Sequence, residues 1–484
     1  MKRYSSVTTF LSLIVCTVIW TTACALHRTG TDVPETPQLP AAYKGGTLTG
    51  SVVEQWWKDF HDPGLTDLMK TVLSQNLDLR RSWARLEQAR ILARQAGSAW
   101  WPQITAEGGT SRTRTNISAL PPGTGTVPKR TTAYHIGVAA SYEIDLWGRI
   151  ASLDRAALQD MQASRMDLEA IAMSLTGQVA ETWFSLIEQK EQLNLARTQL
   201  DTNQTYLELV EFRFGQGLAS SVDVFQQRQQ TASVRARIPL IESRIGILMH
   251  ELDLLTGEYP GQGIAPVPAS LPPLWPQPAT GIPAALLSRR PDVQAAQFRV
   301  KAADERVGTA MADRFPALRL SASTGYSADS LSDLVDNWLW SIAGSVTATV
   351  WDGHRKNLEV ERTRSVLDEQ VTLYRSVVLT ALKEVEDALI REEKQRLYVE
   401  KLAIQVALAE ATLDESRQRY LNGLSDYLPV LVALQSLQQT ESTLLSAKKQ
   451  LISFRIQLCR ALGGTWTSKL ETPERRNRQS GDEA

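Results

Sequence analysis

Between His354 and Asn422 the chain runs for 69 residues without a glycine or a proline. Those residue types break helices, proline by removing an amide donor and glycine by its backbone freedom. A stretch this long without either predicts one continuous helix, and at about 1.5 Å per residue it allows ~100 Å. From Val430 a seven-residue repeat takes over, with Val430, Leu437, Leu444, Leu451 and Leu458 at one position. Ala433, Thr440, Ala447, Phe454 and Ala461 hold the other. Seven-residue spacing means coiled-coil packing. Between the two segments lies a corner, "RYLNGLSDYLPV", beginning at Arg419. The long helix turns there and returns as an antiparallel hairpin.

The same parts occur earlier in the chain. "RFGQGLASSVDV" begins at Arg213, 206 residues before its echo. Subtracting that offset from the heptads gives Val224, Thr231, Ile238, Ile245 and Leu252, and Gln227, Val234, Ile241, Leu248 and Leu255. "LSQNLD" from Leu73 pairs with "LSRRPD" from Leu287, and "DLWGR" around Gly148 with "WDGHR" around Gly353. The chain is therefore an internal tandem repeat. Residues 259–283 separate the copies and hold eight of the 21 prolines, which makes them a linker.

Each half also carries strand signals. Tyr134, Ile136, Val138, Ala140, Tyr142, Ile144 and Leu146 alternate with His135, Gly137, Ala139, Ser141, Glu143 and Asp145. Leu318, Leu320, Ala322, Thr324 and Tyr326 alternate with Arg319, Ser321, Ser323 and Gly325. Trp340, Ile342, Val346, Ala348 and Val350 do so with Ser341, Ala343, Ser345, Thr347 and Thr349. The remaining strand, in "PQITAEGGTSRTRTN", is weaker. Apolar-out, polar-in strands of ~9–11 residues with aromatics suit a membrane barrel. A half-buried soluble sheet shows the same alternation. Four strands cannot close around a pore, so a membrane reading requires several chains to pool them.

The spans expected are a signal peptide at 1–23 and a leash at 24–55. The first repeat covers 56–258, with strands near 102–117 and 133–147 and a hairpin at 149–256. The second covers 284–464, with strands near 316–327 and 339–351 and a hairpin at 354–462. A disordered tail fills 465–484. The amino terminus has Lys2 and Arg3 before the apolar run "VTTFLSLIVCTVIW", the pattern of a signal peptide. "TTAC" then leads into Cys24. It is similar to a bacterial lipobox, with Thr21 in the place where leucine is usual. That resemblance implies a covalent lipid on Cys24, and Ala25 after it favours the outer membrane over retention at the inner one. Acyl chains contribute roughly 0.8 kcal/mol per buried methylene to membrane attachment.

A net charge of −1 gives no basic face for nucleic acid. The three cysteines, two of them in the first 24 residues, make no disulfide framework, and the five histidines have no metal-ligand spacing. No nucleophile–base set or phosphate loop is visible, so an enzyme and a cofactor are not expected.

Taken together, "WWKDFHDPGLTDL" from Trp56, "YEIDLWGR" from Tyr142, "RFGQGL" from Arg213, "LLSRRPDVQAAQ" from Leu286, "FPALRLSAS" from Phe315 and "RYLNGLSDYLPVL" from Arg419 resemble the TolC-like outer-membrane efflux channels. Among these, the chain looks like the NodT-type lipoproteins of resistance-nodulation-division pumps. The resemblance implies a mainly α fold with a membrane β-barrel, in which a homotrimer shares twelve strands and its hairpins form an α-barrel tunnel. It implies a periplasmic adaptor and a proton-driven inner-membrane pump as partners, with outer-membrane lipid around the barrel. The tunnel would pass small molecules such as drugs passively. By the same resemblance the tips at Arg213, Gly217, Leu218, Arg419, Gly423 and Leu424 meet the adaptor. Asp223, Asp426 and Val432 stand near the periplasmic aperture. Pro429 and Val432 fall where acids are common, so a hydrophobic constriction is the alternative to an acidic ring. A type I protein-secretion outlet of the same fold and a non-channel coiled-coil scaffold are the competing readings.

Overall fold

A computed structural model describes residues 40–44, 54–118, 126–262 and 267–470. Cys24 and the signal peptide lie outside the described residues. Among those described, the first half runs α1 (Pro63–Gln75), α2 (Leu77–Gly97), β1 (Gln103–Ser118), β2 (Thr126–Ile144), α3 (Arg149–Gly215) and α4 (Ser221–Thr256). The second half runs α5 (Pro291–Ala312), β3 (Ala317–Ala328), β4 (Trp338–Thr347), α6 (Arg355–Leu421) and α7 (Leu428–Leu462). Helices α3 and α6 each span 67 residues without a break. The chain divides into two compact units.

One unit, from residues 87–163 and 296–374, holds all four strands. They form one antiparallel sheet in the order β1-β2-β3-β4. Its register sorts the side chains by face. One face carries rows such as Ile104–Ala140–Ala322–Ile342 and Ala106–Val138–Thr324–Trp340. The other carries Thr105–Ala139–Ser323–Ser341 and, lower down, Glu143–Arg319–Ser345. Strand β4 stops at Thr347, short of the expected 351, because its partner β3 begins at Ala317, opposite Thr347. Strand β2 begins earlier than 133, at Thr126, because β1 continues to Ser118 and pairs with it throughout. Its first residues, "TVPKRTT", carry no apolar–polar alternation. Below the sheet, Trp147 stacks on Phe315 at 4.8 Å and donates from its indole to the Pro316 carbonyl at 2.7 Å. The Asp145 carboxylate accepts from the amides of Ile150 and Ala151, starting α3.

The other unit includes both hairpin corners and an aromatic core. Phe60 packs on Phe184 and Trp275, and Trp57 on Trp466. Trp466 and Thr467 are buried in a short 3-10 turn. The tail expected from 465 is therefore folded up to residue 470, held by the indole of Trp466 against Trp57. The leash, too, is anchored where described: Tyr43 is buried and the Lys44 amide donates to Glu386. Arg455 of α7 reaches Glu392 of α6 and the carbonyls of Trp275 and Pro276, which ties the proline-rich linker to the second hairpin.

The heptad positions are filled unequally. In α7, Val430, Ala433, Thr440, Ala447, Leu458 and Ala461 are buried. In α4 the seam is buried at both ends, at Val224, Gln227, Thr231, Val234, Leu252 and Leu255, but Ile238, Ile241, Ile245 and Leu248 are only half-buried. Pro239 stands inside that open stretch, where a proline deletes a backbone hydrogen bond and crowds the preceding turn. From Glu181 to Gln199 the contact of α3 with α7 is polar. Glu181 accepts from Ser453 and Lys449, Glu188 from Ser446, and Gln192 and Gln199 bond to Ser442 and Glu441.

Candidate functional site

The two corners have nearly the same backbone. In the first, the Gly217 amide donates to the Phe214 carbonyl at 2.9 Å and the Leu218 amide to Arg213 at 2.8 Å. In the second, Gly423 donates to Tyr420 at 3.0 Å and Leu424 to Arg419 at 2.9 Å. This pair of bonds closes a helix through a left-handed residue. Both glycines sit at φ +71°, a region that costs residues with a Cβ. Each corner then lifts a leucine into solvent, with Leu218 64% and Leu424 69% exposed.

Past the glycine the copies diverge. Ser220 and Asp223 form a reciprocal cap: the Ser220 hydroxyl accepts from the Asp223 amide at 3.2 Å, and the Asp223 carboxylate accepts from the Ser220 amide at 2.9 Å. The second corner has no side-chain cap. Instead, Tyr427 is fully buried and donates from its hydroxyl to Gln227 of the first hairpin at 2.8 Å. Gln227 in turn donates to the Asn203 carbonyl at 2.8 Å. Tyr427 sits among Tyr206, Val210, Val224, Tyr420, Val430 and Leu434.

The arginines diverge as well. The guanidinium of Arg213 lies 4.5 Å from the centre of the Tyr420 ring, joining the two hairpins, and Tyr420 packs edge-on against Tyr427 at 5.2 Å. Arg419 is exposed. Burial raises the phenols of Tyr427, Tyr420 and Tyr206 above their ordinary range, and nearby Asp223 adds to the rise at Tyr427 and Tyr420.

The sequence-predicted residues thus separate. Gly217, Leu218, Gly423 and Leu424 stand at the corners as matched pairs. Asp223 is half-buried and engaged in its cap, Asp426 is exposed, and Val432 is 55% exposed on α7. The Arg213–Tyr420 and Tyr427–Gln227 links have no counterpart in the sequence pattern. A glutamine at a heptad position, Gln227, was the one available signal for the second. Among the described residues no cluster of His, Cys, Asp and Glu could hold a metal ion, and no helix is long and apolar enough to cross a membrane. The sheet presents an apolar face on which Ile104, Ile136, Trp338, Trp340 and Ile342 are all exposed.

A duplicated chain with paired long hairpins and a sheet apolar on one face and polar on the other defines an outer-membrane channel of the efflux class. The outer membrane efflux protein family profile matches residues 68–258 and 282–464, and the chain belongs to that family. It is 30% identical over 426 residues to the pyoverdine export outer membrane protein OpmQ of Pseudomonas aeruginosa, covering 87% of this chain and 90% of that protein. It is also 30% identical over 429 residues to the toluene efflux pump outer membrane protein TtgF of Pseudomonas putida, covering 86% and 87%. The solved outer-membrane channel OprN superposes with a TM-score of 0.84 at 26% identity, over 90% of this chain and 98% of that one. The protein is an outer-membrane component of efflux, a transport channel and not an enzyme.

Proposed function

We propose that this chain is the outlet of a tripartite pump that expels small organic molecules, and that three copies form the pore. The observation that carries this is the sheet register. Four strands present one apolar and one polar face, yet they form an open sheet with β1 and β4 at its edges. Unpaired edges are not tolerated in hydrocarbon. Three copies joined edge to edge satisfy them in a twelve-stranded barrel, with the polar face lining the lumen.

In this reading Leu218 and Leu424, with Arg213, Gly217, Arg419 and Gly423 behind them, dock a periplasmic adaptor. That adaptor couples the channel to an inner-membrane pump of the resistance-nodulation-division class. Val432 supplies an apolar constriction at the aperture, and Asp426, exposed at the same corner, adds an acid there. Asp223 contributes less, since its carboxylate is held in the Ser220 cap. Cys24 carries the lipid. The relatives' names speak of pyoverdine and toluene, and this chain passes small organic cargo without a cofactor.

The reading predicts that purified full-length protein gives heat-resistant trimer bands and stepwise conductance in planar bilayers. A deletion strain is expected to become more sensitive to exported compounds, and Cys24→Ala is expected to abolish acyl labelling. Monomer recovered in the soluble periplasm, without conductance, overturns the reading.

A further inference from the structure

The outward face of the sheet does not stay apolar along its length. In register, Ile104, Ala106 and Gly108 of β1 lie opposite Ala140, Val138 and Ile136 of β2, on the face that also carries Tyr326, Trp338 and Trp340. Strands β3 and β4 end near that aromatic level, while the β1–β2 hairpin continues beyond it. On the same face its next rows are Thr110–Tyr134, Arg112–Thr132 and Arg114–Arg130. Arg112 lies ~14 Å along the strand from Gly108, and less in height for a tilted strand.

Three arginines therefore follow the aromatic band on the lipid-facing side, and all three are exposed. No carboxylate shares that face of the hairpin; Glu107 points to the other one. Among the described residues none of the three makes an ion pair. Arg114 and Arg130 stand directly opposite each other, an arrangement that destabilises a strand pair unless something anionic lies between. Guanidinium groups match phosphate oxygens bidentately. Aromatic belts mark the level where hydrocarbon gives way to headgroups.

We infer that Arg112, Arg114 and Arg130 form a docking patch for phosphorylated headgroups of the outer leaflet. The inference rests on the outer-membrane location of the family and is independent of which pump the channel serves. The acids at this end, Asp329, Asp333 and Asp336, lie in the β3–β4 connection. From a neighbouring copy they are the competing partner for the arginines.

The test titrates the purified full-length protein in detergent with phosphorylated lipid A and with its dephosphorylated form. The expected result is a clear preference for the phosphorylated lipid. The triple variant Arg112→Gln, Arg114→Gln, Arg130→Gln loses about a hundredfold in affinity for it, roughly fivefold per side chain. Lys129→Gln, on the opposite face, retains the preference. Conductance of the same preparations reports folding, and Arg114→Gln alone, with a smaller loss, serves if the triple variant does not assemble. The inference is overturned by equal binding of both lipids, or by an equal loss in Lys129→Gln. It is also overturned by full competition from millimolar inorganic phosphate, or by a triple variant that falls apart into single chains while keeping its lipid preference.

Discussion

Gly423 has open space around the position a Cβ would take, and so does Gly217. A substitution there meets no neighbour, and its whole cost is the left-handed backbone. Gly217→Val or Gly423→Val is expected to destabilise by about 1–2 kcal/mol, read as a lower thermal midpoint with unchanged fold by circular dichroism. Tyr427 behaves differently, since its cost lies in burial. Its phenol titrates above the ordinary value in the folded chain, so the unfolded chain loses that proton first as pH rises. The associated stability is complete below about pH 10, the unfolded phenol's range, and declines above it. Alkaline unfolding should therefore begin at higher pH in Tyr427→Phe than in the parent, relative to each protein's stability at neutral pH. The glycines were legible in the sequence because a corner needs them. The burial of Tyr427 was not, since its counterpart at the 206-residue offset is the exposed Ser221, and the repeat therefore offers no core position for it.

Among the elements, the hairpins and the sheet were legible for one reason: each has a period, seven or two, that one segment displays by itself. What joins one element to another has no period. The Tyr427–Gln227 bond spans 200 positions, and the Arg213–Tyr420 stack joins residues of different repeats. Breaking the former from one side strands a buried partner. Gln227→Leu and Tyr427→Phe should each cost about 1–3 kcal/mol, while the double variant costs much less than their sum. A double-mutant cycle in urea measures this coupling, and strict additivity would refute it. The sheet offers a cleaner contrast. Val138→Arg places charge on the apolar face and should cost about 2–4 kcal/mol if that face meets the middle of the bilayer. Ala139→Arg, one residue on, points to the polar face. Yield of assembled protein in outer-membrane fractions separates them, with Val138→Arg strongly reduced and Ala139→Arg close to the parent.

At the scale of the whole molecule, duplication is the governing fact. The corners share a backbone and present the same apolar residue, so either leucine replaced by a charge should impair export. Leu218→Glu and Leu424→Glu are each expected to raise drug sensitivity while leaving conductance and trimer bands intact. A normal export phenotype in both would remove the docking role. The repeats also let one chain do what a chain written once cannot. In an assembly of identical single-repeat subunits, every mutation at a corner appears at every corner at once. Here a change at Leu218 leaves Leu424 untouched, and half of the contacts persist while the other half vary. The unlike starts of α4 and α7, a serine cap in one and a buried tyrosine in the other, show how far the two copies differ behind the same corner. Selection can therefore revise this surface in halves, trying a new partner on one corner while the other keeps the old one.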